Sequence, residues 1–75
     1  MDINDFIPVF ADLFEETDVT EITKETKFHD LDEWSSLLGM SVIAMAKTQF
    51  NKTITGLEIR YCDTVEDLYN LINNK

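Results

Sequence analysis

The sequence predicts an all-α fold, a small four-helix bundle with three main helices, one short helix and a long loop between helices 1 and 2. Apolar residues recur at three- and four-residue spacing near both ends of the chain, the spacing typical of amphipathic helices. No segment alternates polar and apolar residues in the way that predicts a strand. The 75 residues, 44% of them hydrophobic, suit a single domain spanning 1–75.

The first helix is predicted from an apolar stripe that consists of Ile3, Phe6, Ile7, Phe10, Leu13 and Phe14. We expect the helix to begin near Asn4 or Asp5, because Pro8 then lies close to the first turn, where a missing amide is tolerated. From about Thr17 to Glu33 the helical pattern lapses. This stretch predicts a long loop, with apolar anchors that pin it to the core: Val19, Ile22, Phe28 and Leu31.

Three further helices are expected after this loop. The second is predicted to run from Ser35 or Ser36 to about Phe50, with an apolar face made of Met40, Ile43, Ala46 and Phe50. A short third helix is expected over 56–60, with Leu57 and Ile59 turned partly inward. Thr64 and Asp67 resemble a capping box that starts the last helix. The stripe of that helix is Val65, Leu68, Tyr69 and Ile72.

The charge of the chain is strongly uneven. Residues 1–33 carry eleven acids and two lysines, which accounts for the whole net charge of −9. Such a surface repels phosphate backbones and anionic lipids and favours basic protein patches, so neither nucleic acid nor membrane insertion is expected. The N-terminus has no secretion signal pattern, and a lone cysteine, Cys62, excludes an internal disulfide. We therefore expect a cytoplasmic monomer.

The candidate functional residue is Ser36, at the predicted start of the second helix. Free amides and the helix dipole stabilise negative charge there by about 0.3–1 kcal/mol, so this hydroxyl could carry a phosphate-linked group. The alternative is an ordinary helix cap, a role in which serine is favoured. His29 and Cys62 are too far apart in sequence to suggest a catalytic pair or a metal set. An enzyme is therefore not expected.

At this point the residues resemble the acyl carrier protein family. In that family the loop ends in Asp-Ser-Leu, and Ser35-Ser36-Leu37 occupies this place after an acidic pair and a tryptophan, Asp32-Glu33-Trp34. Phe50 matches a phenylalanine near the end of the family's second helix. Thr64-Val65-Glu66-Asp67-Leu68 matches the start of its last helix. Together with the order of elements, from an acidic first helix and long loop to a last helix capped by Thr64, the resemblance covers nearly the whole chain.

The resemblance implies that a phosphopantetheinyl transferase attaches 4'-phosphopantetheine from coenzyme A to Ser36. The thiol of this arm would hold acyl or aminoacyl groups as thioesters for acyl-loading and acyl-transferring enzymes, while the carrier does no bond chemistry. Fatty-acid, polyketide, aminoacyl and cell-surface polysaccharide pathways are the ones that it suggests. The alternative is an unmodified carrier-like domain that acts only as a protein-interaction module.

Two departures from the family pattern matter. Ser35 replaces the family's aspartate, which makes Ser35 a second candidate for the modification. Residues 37–50 contain no acid, although the family's second helix usually carries several, and they include Lys47. Partner recognition is therefore expected to involve Asp32, Glu33, Trp34, Leu37, Leu38, Met40 and Ala44, together with Asp30 and Met45. This set predicts dedicated partners instead of general fatty-acid synthesis enzymes.

Overall fold

A computed structural model describes residues 2–75 and contains four α-helices. They are α1 (Ile3–Ala11), α2 (Ser36–Phe50), α3 (Gly56–Arg60) and α4 (Val65–Asn73). Two single-turn 3₁₀ helices, Val19–Glu21 and Phe28–Asp30, lie in the long connection between α1 and α2. Within residues 2–75 the only extended pairing is an isolated bridge between Lys27 and Thr64. The predicted all-α bundle is confirmed.

Helix α1 begins at Ile3, slightly before the start at Asn4 or Asp5 that Pro8 predicts. The side chain of Asp2 caps it by accepting a hydrogen bond from the Asn4 amide at 3.0 Å. Pro8 is therefore the sixth residue of the helix and lies on its exposed side, so the expectation that it falls near the first turn is wrong. The helix ends at Ala11, and Phe14 reaches the core from the turn that follows.

The long connection is ordered by core contacts and by hydrogen bonds to the start of α4. Ile22 and Phe28 are buried as predicted, and Leu31 packs against them at the edge of the core. Val19 does not anchor the loop, because its side chain is 59% exposed. The Val65 amide donates to the Thr26 carbonyl at 3.0 Å, which joins the loop to the first residue of α4.

The face that helix α2 buries has only Ala46 in common with the predicted one. Its buried residues are Leu38, Val42, Met45 and Ala46. Met40 is 67% exposed, which corrects its expected core position, and Ile43 and Phe50 are half-buried. The helix is apolar on nearly all sides, so the spacing of its apolar residues does not identify a single inward face.

Helices α3 and α4 have the predicted starts because their caps are strong. Thr64 accepts a hydrogen bond from the Asp67 amide at 3.1 Å, and the Asp67 carboxylate accepts one from the Thr64 amide at 3.2 Å. Thr55 and Glu58 form a second capping box at α3, which the sequence analysis missed. Ile59 is buried as expected, whereas Leu57 is 60% exposed. Within residues 2–75 no helix has the length and apolar character needed to cross a bilayer.

Aromatic rings join the helices to the loop that precedes α2. Phe6, Phe10 and Phe28 are fully buried. The Phe10 ring lies 5.9 Å from Phe6 and 6.0 Å from Phe28, between centroids. Phe28 therefore packs the loop that leads to the candidate site against the buried face of α1.

The contrast between Phe28 and Val19 gives a stability test of the loop. Phe28→Ala should lower the free energy of unfolding by about 3–5 kcal/mol, because it leaves a cavity among packed rings. Val19→Ala should change it by less than about 0.5 kcal/mol, because that side chain is exposed. Urea denaturation followed by circular dichroism measures both. Similar effects of the two substitutions would contradict the observed packing of the loop.

Candidate functional site

The two serines at the start of α2 occupy different structural positions. Ser35 has an extended backbone, and its Oγ accepts a hydrogen bond from the Leu38 amide at 3.4 Å. Ser35 is therefore the helix cap. Ser36 is the first helical residue, and its exposed hydroxyl makes no hydrogen bond with residues 2–75. The alternative that Ser36 itself caps the helix is wrong, since its neighbour does so.

Glu33 fastens the loop before these serines to the end of the α1 region. One carboxylate oxygen accepts a hydrogen bond from the Glu15 amide at 2.7 Å. The other accepts from the Glu16 amide at 3.0 Å and from the Thr17 amide and hydroxyl at 2.8 and 2.9 Å. These contacts give Glu33 a structural role within the loop, while its expected contact with partners stays a prediction.

The same hydrogen bonds change the acidity of Glu33. The Glu15 amide, followed by the other donors at Glu16 and Thr17, lowers the pKa of this carboxyl below its ordinary value, although desolvation opposes the shift. Donors to the ionised form favour it, so the bond network is strongest when Glu33 is charged.

Trp34 links the same loop to the aromatic core. Its ring stacks on Phe14 at 6.4 Å and meets the edges of Phe28 and His29 at 4.8 and 5.4 Å, between centroids. The side chain is half-buried and also lines the groove described below. Trp34 therefore supports the loop, and only its remaining surface is accessible to a partner.

A groove of about 680 Å³ runs between α2 and α3 beside Ser36. Its walls are mostly apolar and include Trp34, Met40, Ile43, Leu57 and Ile59. The exposed side chains of Met40 and Leu57 thus flank an open groove. Gly39 also lines it, and a Cβ there would lie 3.8 Å from Trp34 Cζ2, an ordinary contact. The packing of the fold therefore does not require glycine at this position, and its missing side chain widens the groove.

The expected recognition residues divide into exposed and buried groups. Leu37 is 73% exposed, and Asp32, Met40 and Ala44 are also exposed. Leu38 and Met45 instead face the core, so the expectation that they contact partners is wrong. Tyr61 and Leu57 add exposed apolar surface that the sequence analysis missed. A five-residue helix can turn only one of Leu57 and Ile59 inward, which is the signal that could have indicated an exposed Leu57.

His29 and Cys62 both take part in the packing of the fold. His29 Nε2 lies 3.2 Å from the Ile59 carbonyl oxygen and joins the loop to α3. Cys62 is buried, and this burial raises the pKa of its thiol, as do the charges of Asp67, Glu58 and Asp63. A raised pKa makes the thiol a poorer nucleophile. No cluster of three or more His, Cys, Asp or Glu residues in 2–75 is arranged to hold a metal ion.

Comparison with known proteins gives no match: neither a protein-family model, nor a curated protein, nor a solved structure matches this chain. The resemblance to acyl carriers therefore rests on the residues of the chain itself. The geometry at the start of α2 consists of a serine hydroxyl that makes no hydrogen bond with residues 2–75 and an adjoining apolar groove.

The Glu33 network predicts a pH-dependent stability. The pKa of folded Glu33 lies below its ordinary 4.5, so its contribution is complete above pH 4.5 and is lost as the pH falls through the lowered value. Glu33→Gln should therefore lower the free energy of unfolding at pH 7. The difference from the unaltered chain should shrink at lower pH. Urea denaturation at a series of pH values measures it.

Asp32→Asn is the matched control for this experiment. Asp32 is the neighbouring acid, but its side chain is exposed and receives no such set of amide hydrogen bonds within residues 2–75. Its neutralisation should leave the stability nearly unchanged at both ends of the pH series. Equal losses in the two variants would show that Glu33 contributes only its charge.

Proposed function

We propose that this chain is a carrier that holds acyl or aminoacyl intermediates as thioesters on a 4'-phosphopantetheine arm attached to Ser36. It would present them to partner enzymes of a specialised biosynthetic pathway in the cytoplasm. The observation that carries the proposal is the division between the two serines. Ser35 caps α2, whereas the adjacent Ser36 hydroxyl is exposed, makes no hydrogen bond with residues 2–75 and lies beside an apolar groove. A helix start needs one capping hydroxyl, so the fold gives the second no structural role.

The modification is a phosphoryl-group transfer from coenzyme A. Ser36 Oγ would attack the phosphorus that bears the pantetheine group, under catalysis by a phosphopantetheinyl transferase. The Oγ–P bond forms, the bond between the two phosphates breaks, adenosine 3',5'-bisphosphate leaves, and a base of the transferase takes the hydroxyl proton. The product is a phosphodiester at the N-terminus of the 15-residue helix α2. Free amides and the helix dipole there favour its negative charge by about 0.3–1 kcal/mol.

The carrier acts by tethering. An arm fixed at Ser36 keeps its cargo at a high effective concentration near enzymes that dock on this face. Ser36 lines the groove between α2 and α3, so the arm could lay its cargo against apolar walls between successive steps. Cys62 would not compete for the thioester, because the raised pKa of its buried thiol disfavours the thiolate that would attack it.

The partner surface combines apolar and acidic parts. Leu37, Met40 and Ala44 expose apolar surface on α2, which has no acid between residues 37 and 50. Negative charge is available from the exposed Asp30 and Asp32 in the preceding loop. A partner would therefore place basic residues beside the loop and an apolar patch on α2.

This arrangement favours dedicated partners over general fatty-acid synthesis enzymes. Such enzymes recognise carriers whose second helix carries acids, according to the resemblance. We expect them to load or extend this carrier much less efficiently than a carrier with an acidic second helix. Steady-state kinetics with both carriers measures the ratio, and equal kcat/KM values would contradict the expected specialisation.

A second candidate function is protein interaction without modification. The exposed apolar residues Leu37, Met40, Leu57 and Tyr61 favour it, because they could contact a partner directly. In that case Ser36 would stay unmodified, and binding would not depend on its hydroxyl.

Two serine variants separate modification from capping. Incubation with a phosphopantetheinyl transferase and coenzyme A should raise the intact mass of the chain by one phosphopantetheine group. Ser36→Ala should abolish this increase and leave the stability nearly unchanged. Ser35→Ala should retain the increase and lower the free energy of unfolding by about 0.5–2 kcal/mol, because it removes the cap. Mass spectrometry and urea denaturation measure the two effects.

The opposite pattern would overturn the assignment of the two serines. A mass increase that survives in Ser36→Ala and disappears in folded Ser35→Ala would move the attachment to Ser35. An unmodified chain in the presence of an active transferase would favour the interaction module instead.

A further inference from the structure

The residues that line the groove beside Ser36 differ in charge from the rest of the chain. The protein has 15 acids against six lysines and arginines. None of the described residues that line the groove is acidic, and they include Arg60. Because no acid lines the groove, a cationic ligand would find no opposite charge there. An anionic ligand would find the guanidinium of Arg60.

Arg60 has no acidic partner among the residues that the structure describes. Its guanidinium forms no ion pair with any acid in residues 2–75. Glu58, the one acid on α3, is engaged elsewhere: it pairs with Lys75, and it accepts a hydrogen bond from the Thr55 amide at 3.0 Å. The guanidinium is therefore available to a ligand in the groove.

The backbone that carries Arg60 is held in place. Ile59, directly before it, is 3% exposed, and its carbonyl oxygen lies 3.2 Å from His29 Nε2. His29 belongs to the loop that the Trp34 ring packs against. The wall of the groove made by α3 is thus connected to the segment that leads into Ser36.

We propose that this groove selects an acyl group ending in a carboxylate, which Arg60 binds, over an aminoacyl group. This inference rests on the proposed carrier function. Methylene groups of the cargo would lie against Met40 and Leu57, and the carboxylate would meet the guanidinium, whose planar fork suits it. An ammonium group would be repelled by Arg60 and would find no acid in the groove. Because Arg60 is exposed, the preference is about twofold to fivefold in occupancy.

The test loads the full chain with three matched cargoes. A transferase attaches arms from coenzyme A analogues in which nitrogen replaces the thioester sulfur, so that the cargo is not hydrolysed. Each cargo has a carbonyl and three methylenes and ends in a methyl, a carboxylate or an ammonium group. NMR shifts of the Ile59 amide report groove occupancy, and the Arg60 Nε–H signal reports its contact. We expect the carboxylate cargo to occupy the groove about two to five times as much as the ammonium cargo and to shift Arg60 Nε–H.

Charge-matched variants identify the responsible cation. Arg60→Gln should remove the preference for the carboxylate and leave the methyl cargo unaffected. Lys47→Gln removes the same charge from α2, outside the groove, and should keep the preference. A preference that survives Arg60→Gln, or equal occupancy by all three cargoes, would overturn the inference.

The arm without cargo separates the two possible anions. If the bare arm shifts Arg60 Nε–H as strongly as the carboxylate cargo does, Arg60 binds the phosphate of the arm and the cargo inference is overturned. A chain that takes up the arm but shows no charge preference loses only this inference. A chain that takes up no arm at all overturns both this inference and the proposed function.

Discussion

The hydrogen bonds accepted by Glu33 are the constraint on which the rest of the site depends. They join its carboxylate to the amides of residues 15, 16 and 17, on the far side of a long connection with little regular structure. Glu33 precedes Trp34, Ser35 and Ser36 in sequence. Fixing it therefore fixes the entry of the chain into α2 and, with it, the place of the serine hydroxyls beside the groove. Glu33, which the resemblance places in an acidic pair before the serines, therefore stabilises the site through hydrogen bonds inside the protein.

The residues after Glu33 have separate tasks within one short segment. Trp34 packs on the aromatic core, Ser35 satisfies a helix amide, and Ser36 is left exposed. Because Ser35 provides the cap, the fold does not need the hydroxyl of Ser36, the first residue of α2. Because α2 carries no acid, its exposed face has no negative charge, and the negative surface lies in the loop instead. The proposal of dedicated partners rests on this distribution of charge.

The sequence predicts the elements whose signals are local and misses contacts between distant residues. The start of α4 is predicted by Thr64 and Asp67, because both halves of a capping box lie within four residues. The buried face of α2 is predicted correctly only at Ala46, because apolar residues of this helix point in nearly all directions. The role of Glu33 has no local signal, since its donors lie 16 to 18 residues earlier. The sequence favours Ser36 over Ser35 through the match of Ser36-Leu37 to the family pattern, and the geometry adds that Ser35 is the helix cap.

The central claim is that Ser36 carries a phosphopantetheine arm. The most direct test is the intact mass of the protein purified from its own host, followed by mapping of any added group by fragmentation. We expect one phosphopantetheine group on Ser36, with or without a thioester-linked cargo that hydroxylamine removes. A native chain that is wholly unmodified, and that remains so with a competent transferase and coenzyme A, would contradict it.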